Sequence, residues 1–299
     1  MIDLPEFGTR VSLRYRLPAD EARPMTDVVG HIVDPGGDPG RVVRIRTRHG
    51  DVVDVAVDDV LAVRVVPEMP VRTGEIRNLE HAAALAWPGT EQHWLNGWLL
   101  RFGGGATRRA NSAVPLRYSS VAEIAQTLDM YAARGLPALV SVPDRLIRLP
   151  EGIPADAENL VMTTDVTPTV EVRVAPAPDS SWLTLYERDV PVDILTAVVD
   201  GEVGFGELAG AAVGRVAVTA APDGTRWAGL SAVHVSESAR RQGLARQLCE
   251  GLLTWAFARG ATRAYVQVVA DNAAARALYE SMGFQVHHRS RYVRAEDLL

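Results

Sequence analysis

Residues 227–245 read Trp227-Ala228-Gly229-Leu230-Ser231-Ala232-Val233-His234-Val235, then Ser236 to Ala239, then Arg240-Arg241-Gln242-Gly243-Leu244-Ala245. The first nine residues are β-rich, whereas Leu244, Leu248, Leu252 and Trp255 recur at helical spacing. The order is therefore strand, tight turn, helix, with Gly243 where the chain enters the helix. A glycine there lets backbone approach a ligand closely, and the unpaired N–H groups of the first helical turn, aided by the helix dipole, favour an anion. A pyrophosphate would fit, although six such residues also describe an ordinary helix entry.

The sequence that follows separates these readings. Ala264 to Val269 alternates like a strand, Asp271-Asn272 has the chemistry of a helix cap, and Ala273 to Met282 forms a short helix closed by Gly283.

Together these stretches resemble the GNAT superfamily of acetyl-CoA-dependent N-acetyltransferases. Arg240, Gly243 and Ala245 fill the Arg/Gln-x-x-Gly-x-Gly/Ala pattern of its motif A, and Asn272, Tyr279 and Gly283-Phe284 match motif B, over residues 225 to 285. The resemblance implies an α+β fold, a mixed sheet flanked by helices over residues 176–299, with acetyl-CoA as co-substrate. It implies that the pantetheine arm pairs with the backbone of Val233, His234 and Val235 in a gap between two splayed strands. The pyrophosphate would take N–H groups from Arg241, Gln242, Gly243, Leu244, Ala245 and Arg246, beside Arg240 in the same turn and Asn272 at the next helix. Arg240 and Arg246 are equally readable as solvated helix-end charges.

Tyr279 occupies the family's position for the acid that protonates the departing thiolate. It lies seven residues after Asn272, close to two helical turns, so both can face one cleft. A tyrosine there also reads as a core residue tethered by its hydroxyl. The general base departs from the family pattern: a Glu or His is often found at positions matching Gly229 and Ser231, and neither residue can serve. Strand alternation puts both on the face of Val233 and turns His234 the other way. A water held by Ser231, passing its proton to Glu207 or His234, stays open. His287 and His288, adjacent in a strand, are expected on opposite faces, so no metal site is expected.

The 299 residues suffice for two or more domains, and 47% hydrophobic with 23% charged residues is ordinary globular composition. No apolar run approaches a membrane span, and Met1 to Glu6 lacks the pattern of a secretory signal, so a cytoplasmic protein without a membrane partner is expected. Cys249 is the only cysteine, expected as a buried thiol. All 31 basic residues are arginine, and the net charge of −6 argues against nucleic-acid binding, which needs a positive surface to displace counterions.

Residues 8 to 66 carry five short alternating runs, Arg10 to Leu17, Asp27 to Val33, Arg41 to Arg48, Val52 to Val57 and Leu61 to Val66. His49-Gly50-Asp51 reads as a hairpin turn and Pro67 to Pro70 as a linker. The pattern is similar to SH3-like barrels, expected over 1–70 as a structural or dimerising addition that makes a homodimer an expected partner. Residues 71–175 then read as helix (Glu75 to Trp87), strands (Trp94 to Phe102, Thr107 to Ser112), helix (Val121 to Arg134) and strand (Ala138 to Val142). The phrases Trp98 to Phe102 and Thr107-Arg108-Arg109-Ala110-Asn111-Ser112 resemble the amino-terminal lobe of tandem GNAT proteins, some with a small barrel in front. This lobe has no Arg-x-x-Gly-x-Ala turn, so its expected use is to cover the carboxy-terminal lobe and wall the acceptor site.

Two functions follow. One is an N-acetyltransferase acting on the amine of a small molecule or peptide by direct attack. The other is a catalytically silent acetyl-CoA sensor or scaffold, favoured by the missing base at 229 and 231.

Overall fold

The computed structural model describes residues 4–17, 24–34, 42–47, 51–67 and 70–299. Two compact units divide the chain, Met1–Pro70 and Val71–Leu299.

In the first unit, β1 (Arg10–Arg16), β2 (Met25–Asp34), β3 (Val42–Thr47), β4 (Val52–Ala56) and β5 (Val60–Val65) form one antiparallel sheet in the order β4-β3-β2-β1-β5. Val11 and Leu13, Val28, Ile32, Val43, Ile45, Val55 and Val60 bury one face, as strand alternation requires. The expected His49-Gly50 turn, and Glu68 and Met69 of the linker, lie outside the described residues.

The second unit contains α1 (Thr73–Ala86), β6 (Glu91–Leu95), β7 (Trp98–Phe102), β8 (Ser112–Pro115), α2 (Ile124–Ala132), β9 (Leu139–Pro143) and β10 (Ala157–Asp165). It continues with β11 (Val174–Ala175), α3 (Ser180–Tyr186), α4 (Val192–Thr196), β12 (Glu202–Leu208), β13 (Ala212–Ala220) and β14 (Arg226–Val235). The chain then forms α5 (Leu244–Phe257), β15 (Arg263–Val269), α6 (Ala273–Ser281) and β16 (Gln285–Arg294). Its strands make one eleven-stranded sheet, β11-β12-β13-β14-β15-β10-β16-β9-β8-β7-β6. The residue 175/176 boundary expected from sequence falls within this unit, and β10, which precedes it, pairs with both β15 and β16.

Two expectations are corrected. Trp94 to Phe102 is a hairpin, because Asn96 and Gly97 both take positive φ (44° and 89°) and reverse the chain. Thr107 to Asn111 is a knot of turns, not a strand. The Asn111 side-chain oxygen accepts from the Gly103 and Gly105 N–H groups, both at 2.9 Å, and its amide donates to Thr107 O at 2.8 Å. Side-chain bonding to nearby backbone replaces the ladder that a strand would need.

Helices α5 and α6 cover one face of the sheet. Leu248, Leu252 and Leu253 of α5 meet Val216, Val218, Leu230 and Val266 there. Each fully buried leucine contributes about 1.5–3 kcal/mol. The opposite face is covered by α1 through Leu79, Ala82, Ala83 and Ala86, and by α3 and α4 through Trp182, Tyr186, Ile194 and Leu195. No helix among the described residues is long and apolar enough to cross a membrane.

Candidate active site

Strands β14 and β15 run parallel and pair only from Trp227↔Arg263 to Leu230↔Val266. Beyond that row Ser231 to Val235 keeps its partner β13 on one edge and has none on the other. Ser236 N–H donates to Ala211 O at 2.8 Å, so by alternation the N–H groups of Val235 and Val233 turn toward the gap.

A β-bulge reshapes this segment. Ser231 faces Arg215 and His234 faces Val213, so Ala232 and Val233 together oppose the single residue Gly214, and Ala232 has φ 52°. The extra residue inverts the side-chain parity expected from sequence. Val233 packs against the α5 core, while His234 shares the α1/α3 face with Gly229 and Ser231.

His234 Nε2 lies 3.5 Å from Glu187 Oε2 and has no hydrogen bond among the described residues. Glu187 ends α3 in the left-handed conformation, φ 55°, which costs a non-glycine residue about 1–2 kcal/mol and turns the chain so that the carboxylate meets the imidazole. Glu207, the other group considered as a base, is two strands from His234 through the row Glu207↔Val213↔His234, about 10 Å. It lines a separate cavity of about 200 Å³ with Arg173 and Trp182.

Gly229 cannot be a family-type base for a second reason. A Cβ there would lie 2.3 Å from the Tyr265 hydroxyl, whose ring fills the space. Tyr265 is 5% exposed, and burial pushes it up to about 12.

The turn after β14 runs through a single 3-10 turn, Glu237–Ala239, into α5. Arg241 (φ 60°) and Gly243 (φ 82°) are both left-handed, and Gly243 is the N-cap without a side-chain cap. The first bond into the helix is Gln247 N–H to Gly243 O at 3.0 Å. Among the described residues, the N–H groups of Arg241, Gln242, Gly243, Leu244, Ala245 and Arg246 have no backbone acceptor. A Cβ at Gly243 would meet nothing within 4 Å, so the space beside it is open. A cradle of N–H groups without backbone acceptors at a helix start suits a pyrophosphate.

The side chains around the cradle have separate tasks. Arg240 Nε donates to Val235 O at 3.3 Å, while Arg246 bonds Glu250 (2.9 Å) and Ser281 O (2.6 Å), tying α5 to the end of α6. Asn272 caps α6 by accepting from Ala275 N–H at 3.0 Å.

Tyr279 is 7% exposed and lies edge-on to Phe284, 5.5 Å between ring centres. Burial pushes its hydroxyl well above the ordinary tyrosine range, and Cys249 pairs with it. Burial pushes the Cys249 thiol up to about 12.

The expected opposite orientation of His287 and His288 is also corrected. His288 faces Val161 and Val286 faces Met162, so His287 is the extra residue of a second bulge. Their Nδ1 atoms are 2.8 Å apart, and His288 Nε2 lies 2.9 Å from Glu80 Oε1 of α1. Sequence alternation hides this cluster because the bulge cancels it. No group of three or more His, Cys, Asp or Glu among the described residues could hold a metal ion.

Comparison with known proteins shows the family. The family model described as "Probable histone acetyltransferase Rv0428c C-terminal" matches residues 73–293, and "Rv0428c N-terminal Sm-like domain" matches residues 5–64. The "Probable histone acetyltransferase Rv0428c" of Mycobacterium tuberculosis is 47% identical over 305 residues, covering 100% of this chain and 98% of that protein. The "Uncharacterized N-acetyltransferase YobR" of Bacillus subtilis is 25% identical over 244 residues, covering 70% and 94%. A GCN5-related N-acetyltransferase from Kribbella flavida has the same fold at TM-score 0.54 and 16% identity, covering 75% of this chain and 96% of that one. The first unit thus matches an Sm-like model where an SH3-like barrel was expected. Both are small five-stranded sheets, which strand number and length do not distinguish.

Proposed function

The chain belongs to the Rv0428c family of acetyltransferases, and on that basis we propose that it transfers acetyl from acetyl-CoA to the amine of a small molecule or peptide by direct attack in a ternary complex. One observation carries this reading: the strand edge left open beyond Leu230 and Val266 is followed in the chain by the cradle of N–H groups at Gly243 that have no backbone acceptor. A strand edge and a helix start in sequence match an extended arm that ends in a pyrophosphate. Acetyl-CoA supplies an activated thioester carbonyl.

The chain's residues supply the rest. The Val233 and Val235 N–H groups are donors at the open edge, suited to an oxygen that gains charge. His234, beside Glu187, takes a proton from the acceptor ammonium before attack, or from the nitrogen as the neutral amine adds to the carbonyl. With Nε2 on the side of the Glu187 carboxylate, 3.5 Å away, Nδ1 is the nitrogen left to accept it. Tyr279, held protonated by its burial, gives a proton to the thiolate. The Sm-like unit contributes none of these groups. A catalytically silent sensor is disfavoured because the family is one of acetyltransferases and a base candidate lies at the gap.

The test is release of free CoA thiol from acetyl-CoA across a panel of amines, with His234→Gln as the critical variant. Turnover should fall about 10²–10⁴-fold with acetyl-CoA affinity retained, and the rise of rate with pH should flatten. Unchanged turnover and pH profile in His234→Gln would remove it as the base.

A further inference from the structure

Three arginines meet at the end of α1 around Trp87, its C-cap residue. Arg215 of β13 stands 4.3 Å from the ring centre, Arg109 stands 5.5 Å from it, and Arg101 donates to Trp87 O at 3.5 Å. Arg215 is the most enclosed of them, 1% exposed, and no carboxylate among the described residues forms an ion pair with it.

Helix ends hold this guanidinium instead. It donates to Leu195 O (2.6 Å) and Ala197 O (3.0 Å) at the end of α4, and to Ala86 O (2.8 Å) in the last turn of α1. Carbonyls at a helix C-terminus favour a cation, which accounts for a buried arginine without an acid. They orient the charge and do not cancel it. Burial pushes Arg215 down to about 9, so it is still charged at neutral pH.

The fourth bond carries that charge to the gap. Arg215 Nη1 donates to Ser231 Oγ at 3.3 Å. Ser231 is the first residue beyond the last paired row, Leu230↔Val266, and shares its sheet face with His234. An amine hydrogen-bonded to that hydroxyl would stand about 6 Å from the guanidinium. At such a distance, with an effective dielectric of about 20, a fixed cation lowers the pH at which an ammonium gives up its proton by about 1–2 pH units.

The groups around Arg215 do not reverse this sign. The Tyr186 phenol of α3 and the Tyr265 phenol of β15 are both pushed up by burial and so stay neutral, and Arg101 and Arg109 are cations. Of the nearby acids, Glu80 of α1 is engaged by His288 at 2.9 Å, and Glu187 lies beside His234 with its side chain 64% exposed, where water screens it.

We propose that Arg215 is a positioning residue that acts through Ser231: its buried charge favours the neutral, nucleophilic form of the acceptor amine. A fixed cation thus assists the deprotonation for which the GNAT resemblance led us to expect a Glu or His at 229 or 231. The ammonium N–H bond breaks, its electron pair stays on nitrogen to attack the thioester, and the proton passes to His234. This rests on the acetyl-transfer reading above.

A thiol placed at 231 reads the charge without any substrate. In the full-length protein, Ser231→Cys should be alkylated by iodoacetamide with a half-point about 1–2 pH units below the ordinary thiol value of about 8.5, because a cation that disfavours an ammonium favours a thiolate. Cys249, held up at about 12 by burial, stays silent. Adding Arg215→Lys should keep the half-point low, and adding Arg215→Gln should return it to about 8.5 or above. An ordinary half-point in Ser231→Cys alone would overturn the proposal whether or not the Arg215 variants fold, and so would a low one that survives Arg215→Gln.

Turnover supplies the second arm. Ser231→Asp sets a carboxylate against Arg215 and should slow CoA thiol release with phenethylamine, lysine or glucosamine about tenfold at neutral pH by cancelling the charge. A variant as fast as the parent, or faster, would overturn the proposal, since the site would then have lacked only a base. A low half-point in Ser231→Cys, with no thiol released by the parent protein on any of these amines, would sink acetyl transfer and this role of Arg215 with it. Normal turnover with an ordinary half-point would sink the role of Arg215 alone.

Discussion

The Tyr265 hydroxyl stands where a side chain at Gly229 would have to be, 2.3 Å from the Cβ that any other residue would bring. The position where the GNAT resemblance led us to expect a Glu or His is therefore closed by packing from β15. Gly229→Glu, intended to restore a family-type base, should lower stability by about 1–3 kcal/mol through overpacking and should not raise turnover. Denaturant midpoints and thiol release measure the two effects; a variant as stable as the parent and faster would show that Tyr265 moves aside freely.

Gly243 tests the cradle. Its φ of 82° is left-handed, so Gly243→Ala should cost about 1–2 kcal/mol in stability by conformation alone, since its Cβ meets no neighbour. Gly243→Glu adds a negative charge beside six N–H groups and should weaken acetyl-CoA binding well beyond the alanine variant. Equal affinities for the two variants by calorimetry would argue that no phosphate binds there.

Tyr279 and Cys249 can be separated by chemistry. With the Cys249 thiol up to about 12, almost none is thiolate at pH 8, so a thiol reagent such as iodoacetamide should leave the native protein unlabelled and modify it only on unfolding. Tyr279→Phe keeps the ring contact with Phe284 and should lower turnover about 10²–10⁴-fold while acetyl-CoA affinity changes little. Normal turnover in this variant would reduce Tyr279 to a packing residue.

His287 predicts a pH dependence of stability. Burial first, and then the neighbouring His288, hold its imidazole down at about 3, against an ordinary 6.5. Between those values the unfolded chain binds a proton that the folded chain refuses, so stability present above pH 6.5 is lost as the pH falls toward 3. His287→Gln should flatten that acid limb. Urea midpoints from pH 7 to pH 4 with the same slope in both proteins would refute this.

Local chemistry was enough to reveal much of the fold. The strand, turn and helix around Gly243, the Asn272 cap and the helix carrying Tyr279 are each set by short-range propensity and by a glycine that alone takes left-handed φ readily. The five strands of the first unit were legible for the same reason, through alternation along each strand.

What the sequence did not contain were the consequences of bulges and of strands meeting from far apart. Alternation assigns His234 and Val233 to the wrong faces because the extra residue at Ala232 and Val233 shifts parity, and it separates His287 from His288 for the same cause. A bulge is decided by how two strands pair, which no single strand encodes. Likewise β10 enters between β15 and β16, and Arg109 and Arg215 approach one Trp87 ring only because a side-chain-stapled turn holds Arg109 there. The sequence by itself determined the helix start that suits a pyrophosphate. Only the tertiary structure decided which side chains stand around the gap, because those contacts join separate elements, His234 with Glu187 and Gly229 with Tyr265.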